Sequence, residues 1–90
     1  MNRKIAIYPG TFDPFTNGHL DLVMRGLSIF DEVIVAVALS SKKTPLFKVD
    51  ERIKMIKESI SKLKRVKVES FEGLLVEYVN TKMALLLSEA

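Results

Sequence analysis

Short apolar runs alternate with amphipathic segments along the whole chain, and this alternation limits the folds open to it. Strands are predicted at residues 4–8, 32–39 and 66–71, which are rich in Ile, Val and other apolar side chains. Helices are predicted at residues 18–30 and 49–63, and a third helix from residue 74 onward. The order β-α-β-α-β-α is typical of an α/β fold, with a parallel three-stranded sheet and right-handed crossovers.

Local signals define the ends of these elements. Pro9 and Gly10 predict a turn after the first strand, and Thr16 or Asn17 could cap the first helix. The apolar faces are predicted to hold Leu20, Val23, Met24, Leu27 and Phe30 in the first helix, and Ile53, Ile56, Ile60 and Leu63 in the second. Residues 80–90 have high helix propensity, so they either extend the third helix or form a short separate one.

Composition excludes several classes of protein. The chain has 90 residues, enough for one small domain, and a net charge of +3, which suits a small anionic ligand better than nucleic acid. It has no cysteine, which rules out disulfides and thiolate catalysis. The apolar run at residues 83–87 is far too short to span a membrane, and residues 2–4 do not begin a signal peptide. We therefore expect a cytoplasmic protein.

The most informative stretch is YPGTFDPFTNGH, residues 8–19, which joins the first strand to the first helix. Ligands of open α/β sheets bind beyond the carboxyl ends of the strands. Gly10 permits a sharp turn and close approach to a ligand, and the free amides at the helix start attract phosphate. Thr11 adds a hydroxyl donor, Gly18 leaves space, and His19 places an imidazole in the first helical turn.

Simpler readings of the same residues stay open at this point. A lone histidine at a helix start is commonly a surface or capping residue, and residues 10–14 could form only a tight turn. The stretch matches neither of the common glycine-rich phosphate motifs. Asp13 is read as a turn-stabilising residue rather than a metal ligand, and Asp21 as a charge in the first helical turn. The basic group at residues 62–67 is read as a solvated face.

Taken whole, the stretch resembles the T/H-x-G-H nucleotidylyltransferases, with Thr11 as the first element and Gly18-His19 as the second. Within that superfamily it is similar to bacterial phosphopantetheine adenylyltransferase. The segments SKKTPLF, DER and FEGLLV, at residues 41–47, 50–52 and 71–76, agree with this resemblance. It covers about residues 4–79 and implies a Rossmann-like fold, in truncated form, of a family whose doubly wound sheet has five strands.

The resemblance implies roles for individual residues. His19 would be the catalytic residue and would contact ATP, while Thr11 and the backbone of Phe12 would bind the ATP phosphates, supported by Gly10 and Gly18. Contacts with the acceptor substrate would come from Thr11 and Lys43 at its phosphate, with Lys42 as a neighbour able to stand in, and from Leu75 with Leu74 along its pantetheine arm.

The implied activity is adenylyl transfer from ATP to 4′-phosphopantetheine, which gives dephospho-coenzyme A and pyrophosphate. Mg²⁺ would accompany ATP, and no metal ligand is assigned to the protein. The family forms homo-oligomers (hexamers), and neither nucleic acid nor a membrane is expected as a partner. Residues 1–79 would form the nucleotide-binding half-domain, and residues 80–90 a helical segment outside the family register.

One departure from the family leaves an alternative. An arginine-containing turn and a Ser/Thr phosphate loop, found in the second half of the family's proteins, are not in these 90 residues. The alternative is a truncated or rearranged, non-catalytic form that keeps the fold and weak nucleotide binding. Without the family's fourth strand, residues 5–8 would form an exposed apolar edge, and such edges recruit partners. We expect the chain to pair through this edge, to exchange elements between copies, or to be a fragment of a longer protein.

Overall fold

A computed structural model describes residues 3–39 and 47–88, with side chains as far as residue 86. Its strands are β1 (Ile5–Gly10), β2 (Glu32–Ala38) and β3 (Val66–Phe71). Its helices are α1 (Asn17–Leu27), α2 (Val49–Ser59) and α3 (Leu75–Ser88). The elements follow the predicted order, and the third strand has the predicted bounds.

The three strands form one parallel sheet in the order β1-β2-β3, which confirms the predicted α/β fold. Ile5 lies opposite Glu32, and Val33 lies opposite Val66 in the next strand pair. All three carboxyl ends therefore meet at one edge of the sheet. The central strand β2 is buried almost throughout, as its unbroken apolar sequence predicts. β1 lies at the side of the described sheet, with no strand on its outer flank.

One face of the sheet packs against α1 and α2 and forms the main core. Its buried members are Phe12, Val23, Val33, Val35, Val37, Ile56 and Ile60. Both helices cover the same face because each follows a right-handed crossover in the same direction across the sheet. The prediction that Met24 joins the apolar face of α1 was wrong, since its side chain is 52% exposed. The buried face of α1 is narrower than the sequence suggested, because the residue of this helix that is buried is Val23.

The opposite face of the sheet holds α3. Successive residues of a strand point to opposite faces of the sheet. In β3, Val66 and Val68 pack against the main core, so Glu69 and Phe71 lie on the opposite face. Phe71 stacks on Tyr78 with ring centroids 4.8 Å apart, and the Tyr78 hydroxyl donates to Glu69 at 2.9 Å. α3 continues without a break past residue 80, so the first of the two options for residues 80–90 is confirmed as far as residue 88.

The ends of several elements differ from the predictions. Pro9 and Gly10 belong to β1 rather than to a turn; a proline is tolerated there because it stands near the end of a strand at the sheet's edge. α1 ends at Leu27, since the Ser28 hydroxyl donates to the carbonyl of Arg25 at 2.6 Å and so competes with further helical bonds. α2 ends at Ser59, and Phe30, Ile60 and Leu63 therefore lie beyond the helices to which the sequence assigned them.

Candidate functional site

The loop between β1 and α1 leaves the carboxyl edge of the sheet in an unusual backbone conformation. Phe12 has a φ of 52°, a left-handed value that non-glycine residues seldom adopt, and the Asp13–Pro14 peptide bond is cis. The Phe12 ring is 4% exposed and lies over Gly10, where a Cβ atom would come within 2.9 Å of the ring. Gly10 is therefore required by the close approach of the ring. Thr11, between these two residues, is exposed to solvent.

An aromatic cluster surrounds the start of α1. The Phe12 ring contacts Tyr8 edge-on at 5.2 Å between centroids, Phe15 at 5.5 Å and the imidazole of His19 at 5.1 Å. Burial raises the pKa of the Tyr8 hydroxyl, which keeps this ring neutral. The cluster places the imidazole beside the loop, and one side of the imidazole packs against the apolar rings.

His19 closes a capping box with Thr16, which settles the cap that the sequence left open between Thr16 and Asn17. The Thr16 amide donates to Nδ1 of His19 at 2.8 Å, and the His19 amide donates to the Thr16 hydroxyl at 3.3 Å. Because Nδ1 accepts a hydrogen bond, the ring proton of the neutral imidazole lies on Nε2. Nε2 makes no hydrogen bond to any described residue, so it can donate to a ligand.

Histidine thus has a capping role and an open donor at once. The hypothesis that His19 is a capping residue is correct for Nδ1. The hypothesis that His19 binds a ligand concerns Nε2 and stays a prediction. Thr11, Phe12, Gly18 and His19 all lie at the carboxyl edge of the sheet, at or before the amino end of α1. The amides of the first helical turn have no partner within the helix, although that of His19 is capped by Thr16, and the positive end of the helix dipole lies there; this arrangement suits a phosphate group.

The residues predicted to contact the acceptor fall into two groups. Leu74 and Leu75 are exposed, at 68% and 40%, just after β3 at the same edge of the sheet. β3 is two strands away from β1, or about 10 Å. Lys42 and Lys43 lie outside the described residues. The first residue described after them is Phe47, whose amide donates to the Asp13 carboxylate at 2.9 Å.

Arg52, which the sequence patterns did not assign to the site, lies directly beneath it. Its side chain is buried in the sheet-facing side of α2 and is 1% exposed. Its Nη1 atom donates to the carbonyl of Thr11 at 2.8 Å and to the carbonyl of Ala38 at 3.2 Å. The signal that could have identified it is its position four residues before the core residue Ile56, on the face where only apolar residues are expected.

Three of the other charged residues singled out in the sequence have structural partners. Asp21 lies past the first turn of α1, contrary to the prediction, and pairs with Arg25 at 2.9 Å. Within the basic group, Arg65 donates to the carbonyls of Asp31 and Phe30, at 3.0 and 3.4 Å. Lys67 lies 3.5 Å from Glu32. The group is exposed, and these two members join the amino ends of the strands.

The described residues do not form a metal-binding site. Residues 3–39 and 47–88 contain no group of three His, Asp or Glu side chains that could hold one. Asp13, the carboxylate of the loop, has one oxygen occupied by the Phe47 amide. These residues do not fit a resident Mg²⁺ site. In the same ranges no helix is long and apolar enough to cross a membrane.

Comparisons of sequence agree with the geometry. The model of the cytidylyltransferase-like family matches residues 7–87. A phosphopantetheine adenylyltransferase of Syntrophotalea carbinolica is 54% identical over 84 residues, which are 93% of this chain and 51% of that protein. One of Syntrophus aciditrophicus is 58% identical over 77 residues, 86% of this chain and 47% of that protein. The chain thus spans about half the length of these curated relatives.

Solved structures share the fold. A bifunctional NMN adenylyltransferase/ADP ribose pyrophosphatase of Francisella tularensis, complexed with AMP and a manganese ion, superposes with a TM-score of 0.67 at 25% identity, over 80% of this chain and 23% of that one. A NadR protein in complex with NAD and AMP-PNP reaches 0.70 at 22% identity, over 81% of this chain and 21% of that one, and shows the fold alone. The chain therefore belongs to the cytidylyltransferase-like family, and it shares more than half of the aligned residues with phosphopantetheine adenylyltransferases.

Proposed function

We propose that this chain carries the nucleotide-binding part of a phosphopantetheine adenylyltransferase, which transfers AMP from ATP to 4′-phosphopantetheine. The observation that carries the proposal is the Nε2 donor of His19, which has no hydrogen-bond partner among the described residues and lies beside the amino end of α1 and the exposed Thr11. The high identity to named phosphopantetheine adenylyltransferases over most of the chain supports the choice of acceptor.

The reaction needs charge stabilisation more than proton transfer. An oxygen of the acceptor phosphate attacks the α-phosphorus of ATP, and the bond from that phosphorus to the bridging oxygen breaks, with the electron pair leaving on pyrophosphate. The acceptor phosphate is already an anion, so the attack requires no general base. Positioned donors that meet the growing negative charge supply most of the catalysis in such transfers.

His19 is suited to this role as a hydrogen-bond donor. Its Nδ1 is occupied by the Thr16 amide, which orients the ring and leaves Nε2–H to meet a phosphate oxygen. The amides at the start of α1 and the Thr11 hydroxyl would bind the other phosphate oxygens. Lys43, with Lys42 beside it, is proposed to hold the acceptor phosphate, and Leu74 and Leu75 the pantetheine arm.

Mg²⁺ is proposed to arrive with the nucleotide rather than to occupy a site in the protein. Mg²⁺ is commonly bound through substrate phosphates and waters with few protein ligands, and when bound it neutralises charge on the phosphates.

A second candidate is nucleotide binding without turnover. The chain spans about half the length of its curated relatives, and the activity that their names give belongs to those whole proteins, so binding and turnover by these 90 residues are tested separately. Pyrophosphate release from ATP, Mg²⁺ and 4′-phosphopantetheine separates the two candidates. Turnover that disappears in His19→Ala establishes the transferase, whereas calorimetric binding of ATP without release of pyrophosphate establishes the binding module. A chain that neither binds ATP nor releases pyrophosphate would contradict both.

A further inference from the structure

Arg52 stands out as a fully buried cation in a small core. Its residue is 1% exposed, and the other buried charged residue among those described, Glu32, lies at the opposite end of the sheet. Removing a guanidinium from water is costly unless hydrogen bonds or opposite charges replace the lost hydration. Arg52 makes no ion pair with a described carboxylate, and its Nε atom is buried without a hydrogen-bond partner. Among the described residues, its hydrogen bonds to two backbone carbonyls are therefore what replaces the lost hydration.

The bonds that Arg52 does make connect the ends of two strands. Thr11 follows the last residue of β1, and Ala38 is the last residue of β2. A single nitrogen, Nη1, donates to both carbonyls, so α2 ties the two strand ends together from within the core. The bond to Thr11 spans 41 positions of sequence, and it acts on the backbone of the residue proposed to bind phosphate.

A second contact holds the same loop from the same side. The Asp13 carboxylate accepts the amide of Phe47, one residue before the N-cap of α2, Lys48. Between the two anchored residues, Thr11 and Asp13, lies Phe12 with its left-handed φ of 52°. Such a conformation is unfavourable for a side chain with a Cβ and persists only where surrounding structure holds it. Arg52 and Asp13 together supply that restraint.

We propose that Arg52 is a positioning residue for polyphosphate binding: by holding the Thr11 carbonyl, it sets the backbone of Thr11 and Phe12 in the geometry that receives the nucleotide phosphates. The proposal rests on the proposed function and goes beyond it, because Arg52 acts from beneath the loop and has no exposed surface to offer a ligand. Its positive charge, unpaired with any described carboxylate, also favours an anion in the loop above it.

Two substitutions of Arg52 and one of Arg65 test the proposal. Arg65 is a matched control, because it too donates to backbone carbonyls but joins the amino ends of the strands. Calorimetry with Mg²⁺–ATP and with pyrophosphate measures affinity in folded protein, after an unfolding curve for each variant. We expect about a tenfold or greater loss of affinity for both ligands in Arg52→Met. Arg52→Lys, which keeps the charge and three donors, restores part of it, and Arg65→Met stays within about twofold of the original protein.

A ligand-free measurement keeps the test decisive if Arg52→Met does not fold or if the original protein binds no ATP. Backbone amide order parameters should fall at residues 11–13 in Arg52→Lys and stay unchanged in β3. Wild-type affinity in a folded Arg52 variant, or order parameters at residues 11–13 equal to those of the original protein, would overturn the role of Arg52. A lack of ATP binding by the original protein would contradict the proposed function, while the order parameters would still decide whether Arg52 positions the loop.

Discussion

The Thr16 amide donates to Nδ1 of His19 at 2.8 Å, while the His19 amide donates in return to the Thr16 hydroxyl. This reciprocal pair is a capping box in which histidine stands where Glu or Gln is usual. A glutamine would satisfy the helix end equally well. Histidine differs from glutamine in that it keeps a second ring nitrogen, Nε2, outside the capping box. Substitution can therefore separate capping from ligand binding.

Substituting His19 should therefore separate stability from binding. His19→Ala removes the acceptor for the Thr16 amide and should lower the free energy of unfolding by about 0.5–1.5 kcal/mol. His19→Gln preserves the capping box and should leave stability near its original value. Both variants should bind Mg²⁺–ATP about tenfold more weakly, because neither presents the Nε2–H donor. Urea unfolding and calorimetry measure the two effects. Full ATP affinity in His19→Gln would contradict a ligand-binding role for the ring.

Replacing Gly10 with alanine should disturb the loop through the Phe12 ring. The added Cβ would lie 2.9 Å from Cζ of a ring that is only 4% exposed, so the ring has little room to move. We expect a loss of about 1–3 kcal/mol in the free energy of unfolding. Gly18→Ala is the control, because among the described residues its Cβ would meet only the Thr16 hydroxyl, at 3.6 Å. That change should be neutral or stabilising by up to about 1 kcal/mol. Equal stability in the two variants would contradict the contact.

Acid should weaken the attachment of α3 through Glu69. Burial alone would raise the pKa of Glu69, but hydrogen bonds from Lys82 and Tyr78 outweigh it and lower the pKa below its usual 4.5. A lowered folded-state pKa means that the stabilisation is present above the unfolded-state value and is lost as the pH falls through the folded-state value. Urea unfolding midpoints should therefore fall as the pH drops below the usual 4.5, and less steeply in Glu69→Gln. Parallel curves for the two proteins would contradict this.

High pH should also destabilise the cluster around Glu69, through ionisation of Tyr78. Burial, followed by the hydrogen bond and charge of Glu69, raises the pKa of Tyr78 well above its usual value of 10.0. A raised folded-state pKa means that the contribution is complete below pH 10 and is lost as the pH rises further. Tyr78→Phe should remove this alkaline loss of stability while keeping the ring stacked on Phe71. An unchanged alkaline limb in that variant would exclude Tyr78 as its cause.

The outer flank of β1 should make this 90-residue chain self-associate. An unpaired strand edge offers a row of amides and carbonyls to another chain. Light scattering at micromolar concentration should detect species larger than a monomer. Ile7→Lys, within β1, should reduce their amount, whereas Ile29→Lys, at a position 70% exposed and outside the sheet, should not. A clean monomer of the unmodified chain would refute the expectation.

Much of the fold could be predicted from local sequence alone. The alternation of apolar runs and amphipathic segments predicts the parallel sheet, and β3 has the predicted bounds because its alternation is clear and Gly73 follows it closely, with a φ of 87°. The stretch from residue 8 to residue 19 places Thr11 and His19 beside the carboxyl edge for the same reason: in a parallel sheet every strand ends at one edge. These features depend on periodicity and connection, which a sequence carries directly.

Tertiary contacts decided the rest. Whether Met24 is exposed and Arg52 buried depends on partners distant in the chain, since Arg52 meets a carbonyl 41 positions away. The left-handed Phe12 depends likewise on a ring packed over Gly10 and on anchors from α2. Helical spacing predicts which side chains share a face of a helix. Only packing determines how wide the buried part of that face is, and which buried polar groups find hydrogen-bond partners. The sequence therefore located the loop between β1 and α1 that is proposed to bind phosphate, and the packed core beneath it determined its shape.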